Sequence, residues 1–166
     1  ASVYEIRPLG VVRPRGLADV VACVQYAAEN EIPLHARGAG SGLAGESIGP
    51  GLVIDFSHSM RRILAWDQET VRVQPGVVCA LLNRFLAGHG RLYGPDPATI
   101  NVSTMGSVLA LNASGNHWLR YGSARDTVLA LQLVLADGSV IEATRHAVDE
   151  PSGGDPGQAR RQMLVR

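Results

Sequence analysis

Cysteine is scarce in this chain: Cys23 and Cys79 are the only two, and no Cys-x-x-Cys pair exists. That excludes a disulfide framework beyond one bridge and any thiolate metal cluster. Each sits in a helix-like apolar pattern, Cys23 beside Val20, Val21 and Val24, Cys79 beside Val78, Leu81 and Leu82. Both are expected as core thiols in a reducing compartment. The histidines (His35, His58, His89, His117, His146) are scattered without metal-ligand spacing, so no metal is expected within the chain. Net charge is missing too, since 15 Lys+Arg balance 15 Asp+Glu. The summed field therefore gives no reason to expect nucleic acid or an anionic membrane surface as partner. No apolar run approaches the roughly 20 residues of a membrane span. Glu5, Arg7, Pro8 and Arg13 interrupt any apolar core of an export signal.

Glycine, by contrast, is abundant, with 19 residues in a chain of 166 that is 46% hydrophobic and long enough for one substantial core or two small lobes sharing one. Leu17, Val20, Val21, Val24 and Ala27 or Ala28 follow one helical face; Asp19 suits the first turn, and Pro33 stops the helix near Asn30. Val11-Val12 before the helix and Leu34-His35-Ala36 after it read as strands. Leu52-Val53-Ile54 is an unbroken apolar run suited to a buried parallel strand. The pattern changes after Phe56. Ile63 to Trp66 and Val71 to Gln74 flank Asp67-Gln68-Glu69-Thr70 as an antiparallel hairpin. A second helix follows Pro75-Gly76, with Val78, Leu81, Leu82, Phe85 and Leu86 on one face and Gly88 and Gly90 closing it. Thr127 to Ala136 is expected as one long strand, joined through Asp137-Gly138 to Ser139-Val140-Ile141. Glu150 to Gly157 has too little apolar surface to offset its ordering entropy. Residues 146–166 are expected to be a linker or the truncated start of a following region, in a chain cut from a longer protein.

The central feature is Arg37-Gly38-Ala39-Gly40-Ser41-Gly42-Leu43-Ala44-Gly45. Glycines this dense permit positive φ and let several N–H groups converge on an anion such as a pyrophosphate. The bland alternative is a mobile surface loop; Arg37 at the entrance favours the anion. Gly40 to Gly45 also satisfies Gly-x-Gly-x-x-Gly, which in a Rossmann site needs a helix to start inside the loop. None can start here, because Gly49, Pro50 and Gly51 stand where that helix would run. The phosphate must be held by bare backbone. A second cluster follows: Tyr93-Gly94-Pro95-Asp96-Pro97, Ser103-Thr104-Met105-Gly106-Ser107, Asn112-Ala113-Ser114-Gly115 and Tyr121-Gly122. Singly these are ordinary turns; together, with apolar Val108 to Leu111 among them, they suit a long polar ligand with an apolar ring at one end. His117 lies beside this cluster, but a lone histidine is more often a packing residue than a base.

These motifs, in this order, resemble the FAD-binding domain of the vanillyl-alcohol oxidase/PCMH superfamily. The likeness is greatest to the branch of D-lactate dehydrogenase, the glycolate oxidase flavoprotein subunit and proteins fusing this module to an iron-sulfur region. It spans roughly residues 8 to 145. It implies an α+β, two-lobed PCMH-type fold: one FAD-binding domain over residues 1–145, with a small lobe of parallel strands and helices to about residue 57 and a larger lobe of antiparallel sheet and helices beyond. It implies FAD, with Gly38, Ala39, Gly40, Ser41 and Gly42 around the pyrophosphate and Arg37 at their head. Thr104, Gly106 and Ser107 would close from the other lobe beside Ser103, Pro95 and Asp96. Asn112, Ala113, Ser114, Gly115, Tyr121 and Gly122 would line the remainder, and Ile141 would meet the adenine side through its backbone.

Two departures matter. Ser41 stands where covalent members carry histidine, so non-covalent FAD is expected. Met105-Gly106-Ser107 and Ser114-Gly115-Asn116 replace the Gly-Gly pairs of many relatives. The activity implied is oxidation of a D-2-hydroxy acid, of D-lactate or glycolate type, to a 2-oxo acid. The substrate would be held by a cap domain C-terminal to this one, with an iron-sulfur region as a candidate electron acceptor. No catalytic residue is expected within this chain, which would be inactive alone. An FAD-dependent alcohol or alditol oxidase and a non-redox phosphate- or nucleotide-binding module are the alternatives. The implied location is cytoplasmic, or peripheral on the inner membrane face for the full-length protein.

Overall fold

The computed structural model describes residues 5–145, so the expectations for 146–166 lie outside the described residues. The chain opens with β1 (Gly10–Val12), α1 (Leu17–Glu29), β2 (Leu34–Arg37) and β3 (Leu52–Asp55). β3 lies between the other two strands and parallel to both, with Leu52 opposite Gly10 on one edge and Leu34 on the other. A central strand of a parallel sheet is where an unbroken apolar run belongs, and Val53 and Ile54 are buried. α1 buries Val20, Cys23 and Ala27 at helical spacing. It ends as the sequence suggests, but with an unusual residue in the closing position. Glu31 takes φ 53, with Glu31 N–H donating to Ala28 O (3.3 Å) and Ile32 N–H to Ala27 O (2.8 Å). That left-handed closure is normally made by glycine.

The antiparallel elements follow. β4 (Ile63–Trp66) pairs with β5 (Val71–Val73), and Gln74 prolongs the pairing as expected, its N–H donating to Arg62 O and its Oε1 accepting from Arg62 N–H, both at 2.9 Å. In the turn, Asp67 accepts from the Thr70 hydroxyl and from the N–H groups of Thr70 and Glu69. These bonds, the Thr70 hydroxyl first, hold its carboxyl below the usual range. α2 (Cys79–Ala87) buries Cys79, Leu82 and Leu86 in a core with Val77 and Met105, against which Trp66, Phe85, Tyr93 and Ile100 pack. Leu81, placed on the apolar face by sequence, is 42% exposed. The helix closes through Gly90 at φ 67, with Arg91 N–H reaching Leu86 O, whereas Gly88 stays right-handed.

Three short helices then appear, α3 (Met105–Ala110), α4 (Trp118–Tyr121) and α5 (Ala124–Thr127), before β6 (Ala130–Val134) and β7 (Val140–Thr144). The single strand expected over Thr127 to Ala136 is thus corrected at its start. Ser123 and Asp126 form a reciprocal capping box that commits 124–127 to a helical turn, and the strand begins at Ala130. The Asp137-Gly138 hairpin forms as expected, with Gly138 at φ 80 and its N–H on Leu135 O at 2.9 Å. β6 lies against α1, and the Gln25 side chain of α1 packs at Gly138, so the end of the described chain returns to its first helix. No described helix is long and apolar enough to cross a membrane.

Candidate functional site

The glycine loop leaves β2 at Arg37 and returns to β3 with no helix between them. Gly40 and Gly45 take φ 68 and 81. Arg37 Nη1 donates to Ser47 O at 3.4 Å, and its guanidinium lies where a Cβ on Gly40 would stand. The cation thus braces the loop that it opens.

Facing the loop is the start of α3. Met105 N–H donates to Val77 O and Gly106 N–H to Pro75 O, both at 2.8 Å, and Cys79 N–H to Ser103 O at 2.9 Å. This fixes residues 103–106 on the stretch before α2, with Ser103 and Thr104 buried. A Cβ on Gly38 would run into Thr104 Oγ1 and Ser107 Oγ, which lie 3.1 Å apart. Ser41 Oγ is 3.3 Å from Ser103 Oγ, itself 2.6 Å from Thr99 Oγ1. The two groups of motifs, about sixty residues apart in sequence, therefore lie against each other.

The remaining motif residues form a wall. Pro95 is fully buried, and Asp96 O accepts from Asn116 N–H at 3.1 Å. Gly115 approaches that carbonyl so closely that no Cβ fits, and Gly94 lies as tightly against the Tyr121 ring. Ala113 donates to Val108 O and accepts from Ala124 N–H, while Asn112, at φ 48, accepts from Arg125 N–H at 2.9 Å. Gly122, at φ 70, backs onto the Asp126 carboxylate. Ser114 and Ala39 are exposed. Ile141 stands in β7 opposite Leu133, in the hairpin and in neither cluster. His117 is exposed, with Nδ1 4.0 Å from Asp96 Oδ2 and its ring edge-on to Tyr121.

Sequence reasoning passed over Thr99, which supports Ser103, and Glu46, whose carboxylate lies against Gly42. It also left Tyr93 unassigned. Its phenol oxygen is buried beside the Thr127 hydroxyl, which donates to Ala124 O at 2.8 Å and keeps lone pairs with which to accept, and burial pushes the Tyr93 pKa up. The glycine next to Tyr93, ahead of Pro95-Asp96-Pro97, was the available signal. A groove of 570 Å³ lined by Trp66, Asp67, Gln68, His89 and Arg91 lies at the β4–β5 turn. It shares no residue with either cluster and contains no glycine backbone to turn toward an anion.

FAD fits the glycine loop. Gly38, Gly40 and Gly42 bring backbone without a Cβ to this junction, and what lies against them are the far ends of side chains: the Thr104 and Ser107 hydroxyls, the Arg37 guanidinium and the Glu46 carboxylate. The hydroxyls of Ser41, Ser103, Thr104 and Ser107 gather beside these glycines. Comparison with known proteins agrees with that fit. The FAD binding domain family matches residues 8–144. The chain is similar to D-2-hydroxyglutarate dehydrogenase of Pantoea ananatis, 36% identical over 146 residues, covering 85% of this chain and 14% of that protein. It is also similar to glycolate oxidase subunit GlcD of Bacillus subtilis, 34% identical over 156 residues, covering 92% of this chain and 33% of that one. The chain therefore spans a third or less of these relatives. Among solved structures, 6-hydroxy-D-nicotine oxidase from Arthrobacter nicotinovorans superposes with a TM-score of 0.72 at 28% identity, over 82% of this chain and 30% of that one. The matched span, the parallel sheet ahead of antiparallel hairpins and the glycine loop between β2 and β3 agree: the chain belongs to the FAD binding domain family, with the two-lobed PCMH-type fold and FAD as its cofactor.

Proposed function

We propose that residues 1–145 form the FAD-binding domain of a flavoprotein dehydrogenase that oxidises a D-2-hydroxy acid to the 2-oxo acid, with lobes dividing near residue 57. The observation carrying this reading is the apposition of Gly38 to the Thr104 and Ser107 hydroxyls, in a chain 36% and 34% identical to a D-2-hydroxyglutarate dehydrogenase and a glycolate oxidase subunit. Gly38 to Gly42 hold the pyrophosphate through backbone N–H groups, and Ser103, Thr104, Gly106 and Ser107 close on it. Pro95, Asp96, Asn112 to Gly115, Tyr121 and Gly122 line the rest, and Ile141 offers its backbone to the adenine side. Bound flavin supplies the hydride acceptor. Ser41 has no nucleophilic imidazole, so the flavin is held without a covalent bond.

Hydroxy-acid oxidation also needs a base within hydrogen-bond reach of the hydroxyl and a cation for the carboxylate. Arg37 is turned into its own loop, and Asp96 faces Asn116 and His117. We therefore assign both roles to a cap domain elsewhere in the protein, with an iron-sulfur region as electron acceptor. Two buried free cysteines suit a reducing, cytoplasmic setting. The test is to load the 166-residue chain with FAD and follow dye reduction with D- and L-2-hydroxy acids, alongside the full-length protein. The full-length protein should turn over D-isomers and the chain alone should not. Turnover by the chain that disappears in His117→Ala would place the base inside this domain and overturn the assignment. An oxidase is the second reading, favoured by the solved oxidase at 28% identity. Rapid reoxidation of the reduced flavin by oxygen would select it.

A further inference from the structure

The glycine loop carries an anion of its own. Glu46 follows Gly45, whose φ of 81 turns the chain back, and a Cβ on Gly42 would coincide with the Glu46 carboxylate. Ser47, the next residue, is buried, and its carbonyl accepts from Arg37 Nη1. Arg37 therefore anchors the backbone that presents Glu46. The loop holds a guanidinium against Gly40 and a carboxylate against Gly42. An ionised carboxylate is purely an acceptor and seeks the same backbone N–H groups as a phosphate.

We propose that Glu46 is an affinity-setting residue of the flavin loop: its carboxylate occupies the ground at Gly42 that the pyrophosphate needs, and must swing out when FAD binds. This rests on the placing of the pyrophosphate at Gly38 to Gly42. Three features support it. The carboxylate lies against a glycine whose lack of a side chain is what makes the space available. Glu46 is an exposed residue, so its side chain has solvent to move into. Two like charges cannot share one small backbone concavity without mutual repulsion. Glu46 thereby lowers flavin affinity below what the loop backbone permits and makes the site selective against weakly held anions.

The experiment compares the protein with Glu46→Gln and Glu46→Asp, titrating FAD by flavin fluorescence, ADP by calorimetry and riboflavin as a phosphate-free control. Glu46→Gln should lower the Kd for FAD and for ADP by about threefold or more at low salt, the gain shrinking at about 0.5 M salt as charges are screened. Glu46→Asp, which keeps the charge, should stay near the parent, and riboflavin should bind all three alike. Glu46→Ala, which also removes the charge, repeats the test should the glutamine variant fold poorly. Unchanged or weaker FAD and ADP binding in the neutral variants overturns the proposal, as does an equal gain for riboflavin. If neither parent nor variant binds FAD, the flavin reading itself fails, and the proposal with it.

Discussion

The loop of residues 38–45 and the stretch of residues 93–122 meet at Gly38, Thr104 and Ser107 but are held by different forces. The loop turns on glycines at positive φ and is braced by side chains, Arg37 on the Ser47 carbonyl and Ser41 beside Ser103. The wall is tied by backbone bonds: Asn116 to Asp96, Ala113 to Val108, Ala124 to Ala113 and Trp118 to Gly115. Backbone groups bonded to each other fix both chain segments that they join, whereas a loop braced through side chains can shift as those side chains turn. The 93–122 stretch is therefore the more rigid of the two and the loop the more adjustable, and substitutions in each should fail in different ways.

The largest effect is expected at Gly115. A valine there would drive its Cβ into the Asp96 carbonyl, a backbone atom that cannot give way. Gly115→Val should lose about 3 kcal/mol or more of stability in urea unfolding. A parent-like midpoint would show that the wall is not rigid. Gly40→Val should instead leave the protein folded, at a cost of about 1–2 kcal/mol for a β-branched residue at positive φ. It should abolish FAD retention through desalting, because its side chain displaces Arg37 and crowds the loop. Full retention in a folded variant contradicts the loop's role.

Ser41→Ala removes one partner of a 3.3 Å contact across the two clusters and should cost about 1 kcal/mol or less. Acid precipitation should release all flavin from parent and variant alike; colour left in the washed pellet of the parent would reveal a covalent bond. The smallest change lies outside both regions. Arg72 and Glu142 form a 3.3 Å ion pair between β5 and β7, with side chains 68% and 53% exposed. Arg72→Ala should shift stability by about 0.5 kcal/mol at most, and not flavin binding. A larger loss would mean that the antiparallel hairpins depend on each other.

Much of the fold was legible wherever the signal was local. The apolar run at 52–54, the helical face from Leu17 and the turn at Asp137-Gly138 each specify a conformation within a few residues. α3, at six residues, and the four-residue α4 and α5 are too short to show a period, so 108–111 read as apolar chain and 127–129 as strand. Leu81 misled because helical spacing does not say how wide the covered face is. At the site, the glycines and hydroxyls that meet could be named in advance, but the bracing of Arg37 on the Ser47 carbonyl could not, because irregular loop separates the two residues.

What the sequence determined by itself is the kind of site. Gly49, Pro50 and Gly51 forbid a helix after the loop, and the glycines from 38 to 45 free its backbone, both matters of backbone sterics that hold in any packing. What only the tertiary structure decided is which groups meet: Gly38 against Thr104 and Ser107, Gly115 against Asp96, Glu46 against Gly42. Local dihedral preferences act over a few residues and can be read from them. A contact across sixty residues exists only once two packed lobes fix the distance, and even Glu46, four residues from Gly42, needed the anchored turn at Ser47 to bring it back.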